Sequence, residues 1–72
     1  MSAADIDAAV AGYLNTRLPG WTITYLGSRP DITGWADPTS RTLYVYVRPD
    51  RSVADHVAAI RYQIDVIAAS GG

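Results

Sequence analysis

A chain of 72 residues is one domain at most, and with no Cys and a single His it holds neither a disulfide nor a structural zinc built from the usual ligands. The formal charge of −1, with every basic residue an Arg and every acidic one an Asp, gives no electrostatic case for nucleic acid or an acidic membrane surface. Apolar residues make up 49%, enough to fold rather than stay disordered, but a domain this small is marginal unless it packs tightly or buries a face against a second copy. The N-terminal Met-Ser-Ala-Ala-Asp-Ile-Asp lacks the basic start and apolar core of a signal peptide, and no apolar run approaches the ~20 residues that span a bilayer. A soluble, cytoplasmic protein with no membrane contact is expected.

Ser2-Ala-Ala-Asp5 reads as a capping box that opens a helix. Ile6, Val10, Tyr13, Leu14 and Leu18 then recur at helical spacing, with Asp7, Ala11, Asn15 and Arg17 largely off that stripe. Pro19-Gly20 stops the helix. The run 21–26 alternates strictly: Trp21, Ile23 and Tyr25 face one way, Thr22 and Thr24 the other, as a strand requires. Residues 27–31 form a turn and residues 32–36 a second strand, with Gly34 marking a bulge or a close approach of backbone. Asp37-Pro38-Thr39-Ser40 is a β-turn. A third strand over 42–47 puts Leu43, Val45 and Val47 on one face and Tyr44, Tyr46 and Arg48 on the other. Ser52-Val-Ala-Asp55 is a second capping box, and the helix it opens runs to Ala69. The tail 70–72 reads as a C-cap or the start of a linker.

These elements predict a single α+β domain over 1–72: two layers in the order α-β-β-β-α, with a three-stranded antiparallel meander and two helices packed on one face. On the last helix Val53, Val57, Ile60, Ile64 and Ile67 form the core-facing stripe. Ala59, Tyr62 and Val66 lie on roughly the opposite side, below Asp55, where a charged face would be ordinary. That second apolar strip is a candidate interface, for a homo-oligomer or for a protein partner docking on the helix.

The stretch from Arg41 to Ala68 resembles the strand and active-site helix of a small zincin-type metallopeptidase, and the upstream helix and strands are similar to the N-terminal half of such minimal domains. In that family the helix carries His-Glu-x-x-His, whose two His ligate zinc while the Glu activates its water. The register of the resemblance puts Tyr62, Gln63 and Val66 at those three positions. Tyr is a poor zinc ligand at neutral pH, Gln cannot take a proton, and Val has no donor atom. A third ligand, normally downstream, has little chain left to occupy. The resemblance therefore implies a zincin-like scaffold with no metal, no cofactor, no catalytic residue and no peptidase activity: a metal-free relative, a truncated chain, or a disabled or redesigned version.

His56 reads as a hydrogen-bonded residue at the core boundary, since a lone His without a nucleophile or second ligand makes no site. Asp5 and Asp55 suit helix first turns, Asp31 and Asp37 suit turns, and Asp65 has Arg61 one helical turn before it. Tyr44, Tyr46 and Arg48, beside Trp35, offer an aromatic outer sheet face of the kind that stacks single-stranded bases. The element order is also that of double-stranded-RNA-binding domains, but Arg51-Ser-Val-Ala-Asp-His at the last helix start lacks their basic cluster. Two expectations separate the remaining readings. The zincin-like scaffold requires a cleft beside Tyr62 and Gln63 bounded by an edge strand, whereas an unrelated self-associating or partner-binding module requires a flat apolar patch around Ala59, Tyr62 and Val66.

Overall fold

The computed structural model describes residues 3–29 and 31–71. The proposed Ser2 cap, Pro30 in the first turn and Gly72 at the tail lie outside the described residues. Helix α1 (Ala3–Arg17) is followed by strands β1 (Thr22–Leu26), β2 (Gly34–Asp37) and β3 (Thr42–Tyr46) and by helix α2 (Val53–Ala69). The domain is α+β, with both helices on one face of a three-stranded sheet. No helix among the described residues is long and apolar enough to cross a membrane.

Ile6, Val10 and Leu14 of α1 are buried, as their spacing dictates, and Leu18 joins them by extending the last turn through its N–H to the Leu14 carbonyl at 2.7 Å. Pro19 cannot donate to continue the helix, and Gly20 reverses the chain at φ 89°. The Trp21 N–H closes that turn on the Leu18 carbonyl at 3.1 Å, delivering the buried Trp21 to the start of β1. On β3 the alternation is clear: Leu43 and Val45 are buried, and Tyr44 and Tyr46 are half-buried on the outer face. Ser52 caps α2, its Oγ accepting from the Asp55 N–H at 3.1 Å. The buried line of α2 is His56, Ile60 and Ile64, while Val53, Val57 and Ile67 pack at its margins.

The sheet is mixed, and the expected antiparallel meander does not form. Its order is β1-β3-β2: β3 pairs in parallel with β1, from Thr22 with Thr42 to Leu26 with Tyr46, and antiparallel with β2, from Gly34 with Val45 to Asp37 with Thr42. The connection 27–33 skips one strand position, leaving room for β3 between the strands that precede it. The reason lies in what each strand turns inward. β3 presents Leu43 and Val45, fully covered at 0% and 2% exposure, and so takes the centre, where both its edges are hydrogen-bonded. β2 turns in only Gly34 and Ala36, and a short strand with so little to bury belongs at an edge.

The helices divide the sheet between them. Tyr25 of β1 donates its hydroxyl to Asp7 of α1 at 2.9 Å, whereas Gly34 and Ala36 of β2 lie over Gln63 and Ile67 of α2. Between the helices, Asp65 accepts from the Tyr13 hydroxyl at 2.5 Å and pairs with Arg17 at 3.4 Å. Asp65 thus ties α2 to α1 rather than to Arg61 one turn earlier. Arg61 instead places its guanidinium over the Tyr13 ring, 5.0 Å from the centroid.

Candidate functional site

Because α2 lies beneath β2, the strand's open edge and the outer flank of the helix enclose a groove. Its wide end is a cleft of about 230 Å³ lined by Ala36, Tyr62, Gln63, Val66 and Ile67. Tyr62 and Val66 are its outer wall, 71% and 50% exposed, and Ala36 and Ile67 close it on the core side. Its narrow end is a recess of about 10 Å³, bordered by Thr33, Arg48, Arg51, His56, Ala59 and Gln63. Gln63 borders both, so it sits where the cleft narrows. Ala59 is half-buried in the recess and does not join Tyr62 and Val66 in the cleft.

Glycine at position 34 makes this arrangement possible. A Cβ there would collide with the Tyr44 carbonyl and stand 3.3 Å from Gln63 Oε1. Without it the Gln63 side chain lies directly under β2. That side-chain amide makes no hydrogen bond to any described residue, which leaves one acceptor and two donors facing the groove. The strand above is open too. The Tyr46 N–H donates to the Thr33 carbonyl at 3.0 Å, so in this antiparallel register residues 33, 35 and 37 turn their backbone toward β3. The alternation then turns the N–H and C=O of Gly34 and Ala36 away from β3, at the open edge of the sheet.

His56 is 4% exposed and fully committed to the fold. Its Nε2 accepts from the Arg48 N–H at 2.9 Å, which requires the proton on Nδ1, and Nδ1 then donates to the Ser52 carbonyl at 2.8 Å. The ring clamps the end of β3 to the start of α2 and has no nitrogen left for a metal. Among the described residues no three His, Cys, Asp or Glu converge in a way that could hold a metal ion. None of the described residues that line the groove is an Asp, Glu, Cys or Ser.

Charge gathers at the narrow end. Arg48 forms a two-pronged pair with Asp50, at 3.1 Å from Nε and 2.9 Å from Nη2. That hydrogen-bonded guanidinium holds the Asp50 carboxyl below its ordinary range, with Arg51 adding a smaller pull in the same direction. Arg51 is half-buried and forms no ion pair with either Asp50 or Asp55. On the opposite sheet face Trp35 and Tyr44 stack on each other, centroids 4.2 Å apart and planes 18° from parallel. That contact uses ring faces a base would need, and Arg48 is held by Asp50.

Tyr62, Gln63 and Val66, singled out by their register, do meet in one cleft. Its other contributors are less visible in sequence. Ile67 reads as core by its spacing, Ala36 is an unremarkable strand residue, and Arg51, at the recess, lies in the connection from β3 to α2; only Gly34 signals a close approach. No family model, no curated protein and no solved structure matches the chain.

Proposed function

We propose that this chain is a metal-free zincin-like scaffold whose groove between β2 and α2 holds a partner segment and hydrolyses nothing. One observation carries the reading: Tyr62, Gln63 and Val66, the positions that resemble His-Glu-x-x-His, all open on one cleft beside an antiparallel edge strand. An active relative would need its metal and its base at that spot. With a phenol, an amide and an isopropyl group there, the cleft keeps its shape and loses its reaction. The amide of Gln63 can still donate and accept, so binding remains where general-base action is gone.

The test restores the motif. Tyr62→His, Gln63→Glu and Val66→His combined should confer zinc binding, measured by competition with a chromophoric chelator, while the parent protein binds none. The affinity should fall short of a complete three-ligand site. A triple variant that folds normally by circular dichroism yet binds no zinc removes the zincin-like reading, and stoichiometric zinc on the parent protein removes the metal-free one.

The exposure of Tyr62 and Val66 also favours a second reading, in which two copies of the chain bring these α2 faces together. Sedimentation across a wide concentration range would then show a dimer. Monomer mass throughout would eliminate it.

A further inference from the structure

We infer that the occupant of the groove is the C-terminal end of an extended peptide, with one apolar side chain in the cleft and its terminal carboxylate over Arg51. This rests on the reading of the groove as an association site and adds what it binds.

Size, direction and charge each support this. A cleft of about 230 Å³ falls below the roughly 300–1,000 Å³ typical of drug-sized ligand sites, and it suits one large apolar side chain. The outward N–H and C=O groups of Gly34 and Ala36 can accept a ligand strand by edge addition. Gln63 beneath them supplies an amide that can pair with a main-chain amide. β2 and α2 run the same way along the groove: Thr33 and Arg51 border the recess, and Ala36 and Val66 the cleft. A ligand strand antiparallel to β2 therefore enters at the cleft and points its C-terminus at the recess. The groove narrows to about 10 Å³ there, room for roughly one water, so a chain cannot continue through it. The charged residues that line that end are Arg48, held by Asp50, and Arg51, so the lining carries a positive excess. A free carboxylate complements that excess, and the ammonium of a parallel ligand's N-terminus would be repelled. From Ala36 back to Thr33 is roughly 10 Å of strand, so the apolar side chain belongs two or three residues before the ligand's last.

The test uses an array of hexapeptides with free C-terminal carboxylates and leucine, isoleucine, phenylalanine or alanine at the third position from the end. The best binder is then titrated in solution against its C-terminally amidated twin by fluorescence anisotropy. The carboxylate form should bind at least about tenfold more tightly, with affinity falling as salt is raised. Arg51→Gln should erase that preference and leave the amidated twin's affinity unchanged. Val66→Asp, on the exposed wall, should abolish binding of both. Equal affinity for acid and amide, or a preference that survives Arg51→Gln, overturns the C-terminal assignment while leaving the groove as a peptide site. Binding that survives Val66→Asp places the peptide elsewhere and overturns it as well. No binding by any peptide of either form overturns both this inference and the association reading beneath it.

Discussion

Both ring nitrogens of His56 end on main-chain groups, and the tyrosine hydroxyls that reach between elements end on carboxylates. The second pattern has a consequence at high pH. Burial, and then the hydrogen bond to Asp7, raise the Tyr25 pKa well above its ordinary value of 10.0. An unfolded chain gives up that proton near pH 10 while the folded one keeps it, so above pH 10 the native state binds more protons than the unfolded state. Tyr25 therefore favours the fold fully below pH 10, and its contribution is lost as pH rises through the folded value. Urea midpoints measured from pH 8 to 11.5 should hold steady and then decline, and Tyr25→Phe should flatten much of the decline. Tyr13, raised chiefly by its hydrogen bond to Asp65, supplies part of what remains. Identical alkaline slopes in the parent and Tyr25→Phe would rule this out. The role of His56 was legible in the sequence, because a lone imidazole beside an apolar stripe has little else to do. The partner of Asp65 was not: Arg61 is nearer in sequence, but Tyr13 and Arg17 are brought to Asp65 only when α1 packs on α2.

At the scale of elements, β2 governs the site and is the least typical strand. Its inward positions are Gly34 and Ala36, and the groove exists because neither fills the space above Gln63. Gly34→Ala should force the strand off the Tyr44 carbonyl and cost ~1–3 kcal/mol, the range for overpacking. Hydrogen exchange should show protection lost over 33–37 before β1 and β3 loosen. A variant as stable as the parent, with unchanged protection, would show that Gly34 is not required for close approach. The strands themselves were legible from alternation, as were both helices from their stripes and the Ser52 cap. The pairing was not, because short connections favour antiparallel neighbours and 27–33 is only moderately long. The sequence did carry a hint: Leu43 and Val45 have far more apolar surface to bury than Gly34 and Ala36, and the strand with most to bury went to the middle.

For the whole molecule, one core of Ile6, Val10, Leu14, Leu18, Trp21, Leu43, Val45, Ile60 and Ile64 supports everything described. No disulfide reinforces it. If the groove takes a peptide and the chain stays single, the melting temperature should be independent of protein concentration and rise with a saturating peptide, as linkage requires. A melting temperature that climbs with protein concentration alone would favour association between copies. The cleft itself was legible only as a condition, an edge strand beside Tyr62 and Gln63, because its width depends on how α2 lies under β2.

The parallel pairing of β1 with β3 also sets an order of events during synthesis. β1 leaves the ribosome about twenty residues ahead of the strand it must pair with, a lead of roughly one to four seconds at ~5–20 residues per second. Through that interval Trp21, Ile23 and Tyr25 have no sheet to join, and α1 has no second helix to pack against. β2 can wait only for its hairpin partner, but β1 waits for the middle of its own sheet to be made. The segment from α1 through β1 is thus the one that waits longest, open to chaperones and proteases, although in the finished fold it supplies more than half of the buried apolar core among the described residues.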